Sequence, residues 1–116
     1  MSVNSNGFAI VDDTPRLAEM VGNMLRSAGY TDYQTFDDPR AALDAITSGK
    51  FSMVITDYNM PGMTGVELLN AAYEHNNQIK GLIMSANVES VKSNFDVLEK
   101  GREFQKNLIE YIKGVC

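Results

Sequence analysis

The sequence predicts a doubly wound α/β sandwich, and three observations predict it. Short apolar runs recur at residues 8–11, 51–56 and 81–84, each run stops at an acidic or hydroxyl residue, and segments with helical spacing separate them. Strands that are apolar at every position suit a parallel sheet buried on both faces, with helices as crossovers.

The first run, Phe8-Ala9-Ile10-Val11, stops at Asp12-Asp13, and Thr14-Pro15 follows. Proline is tolerated in the first helical turn because its missing N–H is an orphan there anyway, so this dipeptide marks a helix start. Leu17, Met20, Val21, Met24, Leu25 and Ala28 then recur at helical spacing, which predicts one apolar face, and Gly29 supplies the stop. Tyr33 to Phe36 reads as a second, poorer strand. Asp38-Pro39 repeats the cap-and-proline start ahead of Ala42, Leu43, Ala45 and Ile46, and this helix stops at Gly49.

The third strand, Phe51-Ser52-Met53-Val54-Ile55-Thr56, ends at Asp57, and Pro61-Gly62 marks the turn beyond it. Thr64 and Glu67 form a T-x-x-E capping box that opens a helix carrying Val66, Leu68, Leu69, Ala72 and Tyr73. A fourth strand, Gly81-Leu82-Ile83-Met84, ends at Ser85, and a fifth, Phe95-Asp96-Val97-Leu98, ends near Lys100. Phe104, Leu108, Ile109, Tyr111 and Ile112 mark a closing helix.

The chain of 116 residues has room for one domain, expected over residues 7–116 behind a polar, flexible lead at residues 1–6. A formal net charge of −5 argues against sequence-independent nucleic-acid binding, which relies on Lys and Arg. No apolar run approaches a membrane span, and the lead lacks the basic and apolar parts of a secretory signal, so a soluble, cytoplasmic protein is expected. The single cysteine, Cys116, excludes a disulfide framework and receives no role, nor does the lone His75.

In doubly wound sheets ligands bind beyond the carboxyl ends of the strands. Here those ends carry Asp12-Asp13, Asp57, Ser85 and Lys100. Two carboxylates about 4 Å apart repel by about 4 kcal/mol at an effective dielectric near 20, so three together call for a cation. Oxygen donors alone suit Mg²⁺, and no Cys or His cluster offers zinc a site. A metal and an ammonium beside a strand-end carboxylate fit phosphoryl transfer, with Asp57 as the in-line nucleophile and Ser85 as a hydrogen-bond donor.

At this point the residues carry a family resemblance. Val11-Asp12-Asp13, the stretch Thr56-Asp57-Tyr58-Asn59-Met60-Pro61-Gly62-Met63-Thr64-Gly65, Met84-Ser85-Ala86 and Leu98-Glu99-Lys100 resemble, in order, the motifs of response-regulator receiver domains, specifically a stand-alone receiver of the chemotaxis-regulator type. The resemblance implies a flavodoxin-like sheet with strand order 2-1-3-4-5. It also implies that Asp57 is phosphorylated by a histidine kinase or phosphotransfer protein. Asp12, Asp13, Asp57 and the backbone carbonyl of Asn59 would hold Mg²⁺, Ser85 would be the switch hydroxyl, and Lys100 would bind the phosphoryl group. Such a receiver catalyses its own phosphorylation and dephosphorylation, is a switch rather than an enzyme acting on external substrates, and passes its signal to a downstream protein as a monomer or weak dimer. Asn59 and Asn87 resemble the positions that tune dephosphorylation.

The chain departs from the family in three places. Only fourteen residues, Ala86 to Glu99, separate Ser85 from Lys100, about two helical turns fewer than usual, so the fourth helix is expected to be shortened or absent and replaced by a mobile loop. Val97 stands where receivers usually carry Tyr or Phe, and Gly101 replaces their usual proline. Lys106 is the rival to Lys100, but choosing it leaves too few residues for a stable closing helix. The alternative function is a receiver-like binding module whose output does not depend on phosphorylation. A phosphatase of the strand-end Asp type would need a D-x-D arrangement, which Asp12-Asp13-Thr14-Pro15 does not supply, and a flavin site would need a Ser/Thr/Gly-rich phosphate loop.

Overall fold

The computed structural model describes residues 7–115. The readings made for the lead at residues 1–6 and for Cys116 lie outside the described residues. Five strands, β1 (Phe8–Val11), β2 (Tyr33–Phe36), β3 (Met53–Asp57), β4 (Lys80–Ser85) and β5 (Asp96–Glu99), alternate with α1 (Pro15–Ser27), α2 (Pro39–Thr47), α3 (Gly65–His75) and α4 (Phe104–Val115). The sheet order is β2-β1-β3-β4-β5, every pairing is parallel, and the strand order reverses at β1, as the doubly wound reading expects.

Register decides which residues meet. Val11 pairs with Thr56, Asp57 with Met84, and Ser85 with Glu99, so Asp12, Asp57, Ser85 and Lys100 reach one edge together. The ladder continues past the strands through Tyr58 N–H to the Met84 carbonyl (2.9 Å) and Lys100 N–H to the Ser85 carbonyl (2.8 Å). The functional edge is thus held by main-chain bonds.

Each sheet face carries its own core. Ala9, Val11, Val54 and Ile83 face α2 and α3 through Ala42, Ile46, Leu68, Leu69 and Ala72. On the other face Phe8, Ile10, Met53, Ile55, Leu82 and Met84 pack with Ala18, Val21 and Leu25 of α1 and Phe104, Leu108 and Ile112 of α4. The predicted helix signals act as read: Asp38 accepts a bond from Arg40 N–H, and Thr64 and Glu67 exchange both bonds of a capping box at 3.1 and 2.9 Å. Gly29, at φ +97°, ends α1.

The face of α1 differs from the expectation. The buried stripe is Ala18, Val21, Gly22 and Leu25, while Leu17 and Met20 are 36% and 46% exposed. Small residues decide this: a Cβ at Gly22 would stand 2.6 Å from the Tyr33 ring, so the helix approaches the sheet along its Ala and Gly side. Of the stripe expected from apolar spacing only Val21 and Leu25 are buried, and Ala18 and Gly22 take the other buried positions.

The segment between β4 and β5 contains only a 3₁₀ turn, Val88–Ser90, in place of a fourth helix. It is not a featureless loop, however, because Val91 is buried in the core on the α2–α3 face. The fifth strand begins at Asp96 rather than Phe95, and as an edge strand it is only partly buried.

Candidate functional site

β3 ends in the turn that carries Asp57. Gly65, the first residue of α3, donates its N–H to the Tyr58 carbonyl at 2.8 Å and returns the chain over the loop. A side chain at Gly65 would press directly on the Asp57 carbonyl oxygen, so the close return depends on glycine. The Asp57 carboxylate lies at the surface of a buried strand, with the residue 9% exposed.

Asp12 is deeper, at 1% exposure. Its Oδ1 accepts the Thr14 N–H at 2.9 Å, so it also organises the start of α1, where the Thr14 side chain makes no cap bond. Its Oδ2 is buried without a hydrogen-bond partner. Burial pushes the Asp12 carboxyl above its ordinary value, the charges of Asp57 and Asp13 add to this, and the Thr14 N–H and Lys100 oppose it.

Lys100 closes the site from β5. Its Nζ donates to Asp57 Oδ1 at 2.7 Å and stands 3.8 Å from Asp12 Oδ2, with the lysine side chain 31% exposed. Lys106, the rival lysine, is exposed on α4. The oxygens of Asp12, Asp13 and Asp57 all lie within 4.8 Å of one another. Three carboxylates and one ammonium leave a formal charge of −2, and the buried Asp12 Oδ2 accepts no hydrogen bond, the Lys100 ammonium standing 3.8 Å away. A hard divalent cation fits this donor set, whereas zinc has no sulfur or imidazole there.

Two predicted residues are placed less directly. The Ser85 hydroxyl donates to the Asn87 carbonyl at 3.0 Å and accepts the Asn87 N–H at 3.1 Å. Asn59 is exposed in the loop two residues past Asp57. Sequence reasoning missed the apolar surface beside the acids. Leu17, Met20 and Met24 of α1, Met84, Gly101 and Phe104 line a cleft of about 180 Å³ that reaches Asp12 and Lys100. The signal was present in the periodicity of α1, where two large apolar residues fall outside the buried stripe.

Comparison with known proteins gives the same picture. The chain is 45% identical over 62 residues to the chemotaxis protein CheY of Pseudomonas aeruginosa and 45% identical over 60 residues to CheY-3 of Vibrio cholerae. These matches cover 53% and 52% of this chain, and the chain spans about half the length of these curated relatives, 50% and 46%. The fold superposes on V. cholerae CheY4 with a TM-score of 0.81 at 25% identity, over 97% of this chain and 100% of that one. It superposes on TrrA of Thermotoga maritima, solved in complex with Mg²⁺-BeF, with a TM-score of 0.86 at 24% identity, over the same shares. Residues 8–103 match the response regulator receiver domain, and the chain belongs to that family.

Proposed function

We propose that Asp57 accepts a phosphoryl group from a histidine kinase or phosphotransfer protein, and that the receiver, acting as one unit over residues 7–116, is switched by that modification. The observation that carries this is the position of Lys100 Nζ, 2.7 Å from Asp57 Oδ1 and 3.8 Å from Asp12 Oδ2, at the end of a buried strand. An Asp57 carboxylate oxygen attacks phosphorus, the oxygen–phosphorus bond forms, and the bond to the donor nitrogen breaks with its electron pair left on that nitrogen. Lys100 neutralises charge on the phosphoryl oxygens. Asp12, Asp13 and Asp57, with the Asn59 carbonyl, would hold Mg²⁺. When bound, the ion supplies charge neutralisation for both the acids and the phosphoryl group. Crystallisation of the similarly folded TrrA with Mg²⁺-BeF agrees with this reading.

The exposed Leu17 and Met20 and their cleft support a protein as donor, because apolar contact beside the acids would seat a donor surface next to Asp57. No helix among the described residues is long and apolar enough to cross a membrane. Catalysis is limited to the protein's own modification and its hydrolysis.

A second reading, output without phosphorylation, draws on the 3₁₀ turn that replaces the fourth helix and on Val97. Two experiments on Asp57→Asn separate the readings. Incubation with phosphoramidate and Mg²⁺ should add one phosphoryl mass to the wild type and none to Asp57→Asn; no adduct, or an equal adduct on the variant, refutes phosphoacceptance. Full signalling by Asp57→Asn in cells would favour the second reading.

A further inference from the structure

Among the described residues four polar or charged side chains are buried, and three of them, Asp12, Asp57 and Ser85, belong to the candidate site. The fourth is Thr56, at 0% exposure the most deeply buried of the set. A hydroxyl buried this far costs free energy unless it is bonded, so its partners are informative.

Thr56 Oγ1 donates to the Asp57 main-chain carbonyl at 3.0 Å, and the Met60 sulfur stands 3.9 Å from the same oxygen. A hydroxyl has one hydrogen, so the carbonyl holds it and the weakly accepting thioether packs against the group. The methyl is engaged too. A Cβ at Gly65 would come within 3.1 Å of Thr56 Cγ2, so the start of α3 closes over that side of a branched side chain that is stiff at χ1.

The consequence falls on the loop from Asp57 to Met60. Its first peptide is gripped on both edges, by Thr56 at the Asp57 carbonyl and by the Met84 carbonyl, which accepts the Tyr58 N–H at 2.9 Å. The Tyr58 carbonyl accepts the Gly65 N–H at 2.8 Å, and Met60 is buried against Thr56. Asn59 is exposed between these anchors, and among the described residues its carbonyl accepts no main-chain bond. Thr56 thus bonds the first residue of the loop and packs on the last, with the Asn59 carbonyl between them.

We propose that Thr56 is a positioning residue for the metal: its buried hydroxyl sets the 57–60 loop so that the Asn59 carbonyl joins the carboxylates of Asp12, Asp13 and Asp57 around Mg²⁺. This rests on the reading of Asp57 as a phosphoacceptor assisted by Mg²⁺. A main-chain carbonyl cannot be re-aimed by a side-chain rotation, so its placement follows the loop. Loss of a group that orients a metal ligand typically weakens binding by about 10–100-fold.

The test separates hydroxyl from methyl in the full chain. Thr56→Val keeps the branched shape without the hydroxyl, Thr56→Ser keeps the hydroxyl without the methyl, and Thr56→Ala loses both. Mg²⁺ affinity, read by calorimetric titration and by the Tm shift across a Mg²⁺ series, should fall about tenfold in Thr56→Val and Thr56→Ala and stay near the wild-type value in Thr56→Ser. Adduct formation from phosphoramidate should slow in the two weakened variants at limiting Mg²⁺ and recover when Mg²⁺ is raised in proportion, which a general loss of packing would not give. If Thr56→Val does not fold, Thr56→Ser against Thr56→Ala carries the same comparison. Equal Mg²⁺ affinity in all these proteins, or losses that follow the methyl instead of the hydroxyl, overturns the proposal and leaves phosphoacceptance standing. Wild type that binds Mg²⁺ but forms no adduct overturns phosphoacceptance, and the affinity series still decides the role of Thr56. Wild type that binds no Mg²⁺ overturns the metal reading and this proposal together.

Discussion

Replacing Asp12 by Asn should stabilise the metal-free protein and remove its response to Mg²⁺. Asn keeps an oxygen for the Thr14 N–H at 2.9 Å, while the other oxygen becomes an NH₂ group and the negative charge is lost. At an effective dielectric near 20, carboxylates about 4.8 Å apart repel by about 3.5 kcal/mol per pair, and Asp12 faces two such neighbours. Its attraction to Lys100 at 3.8 Å returns about 4.4 kcal/mol on the same scale. Removing the charge therefore gains about 2–3 kcal/mol before the exposure of Asp13 screens its share, and relief of desolvation at a residue 1% exposed adds to that. A net gain of about 1–3 kcal/mol follows. For a chain of 116 residues, unfolding entropy of about 0.24 kcal/mol/K converts this to a Tm rise of about 4–12 °C.

The pH dependence has a definite sign. Burial raises the folded-state pKa of Asp12 above 3.8, so the folded state holds that proton more tightly than the unfolded chain. The penalty is absent below 3.8, grows as pH rises through the raised value, and is complete above it. The Tm gap between Asp12→Asn and wild type should therefore widen from acid to neutral pH. Mg²⁺ at a hundred times its Kd should stabilise the wild type by about 2.7 kcal/mol. That shift should shrink strongly in the variant. Calorimetry with and without Mg²⁺ from pH 4 to 8 measures all of this. A metal-free variant less stable than wild type at neutral pH, or one with the full Mg²⁺ shift, refutes the electrostatic account of the site.

Lys100→Met should slow adduct formation from phosphoramidate by about 10²-fold, the usual cost of a lost charge-stabilising donor, whereas Lys106→Met should match wild type; equal losses in timed mass spectra would contradict the assignment. Gly65→Ala should cost about 1–3 kcal/mol in urea unfolding, because its Cβ would meet the Asp57 carbonyl, and an unchanged midpoint would show that the α3 start can shift freely. Thr64→Ala, which removes one half of the capping box, should lower stability by about 1 kcal/mol at an unchanged m-value in the same assay.

Most of the fold was legible because its signals are local. Thr64 and Glu67 exchange bonds within one turn, Asp38-Pro39 starts α2 within two residues, and the apolar runs of β1, β3 and β4 need no distant partner to be seen. The carboxylate cluster was legible through the parallel-sheet rule, which turns strand ends into neighbours. What escaped depends on contacts across the sheet. The rotation of α1 is set by the fit of Gly22 against Tyr33, two residues eleven apart whose meeting no periodicity encodes. The burial of Val91 likewise has no local signal, because Val88 and Val91, three residues apart in a polar segment, are too few to show which of them joins the core.

These two surprises sit on opposite faces of the sheet and meet at the same edge. On the α1–α4 face, Leu17 and Met20 remain exposed because Ala18 and Gly22 take the buried positions, and their cleft reaches Asp12 and Lys100. On the α2–α3 face, Val91 fills space beside β4 and connects through the capped turn to Ser85. Main-chain ladders hold Asp57 and Lys100 between them, so a change of charge at Asp57 is resisted by the strands and met first by the Lys100 side chain that bonds it. Lys100 already bonds Asp57 at 2.7 Å, whereas the Ser85 hydroxyl is paired with the main chain of Asn87.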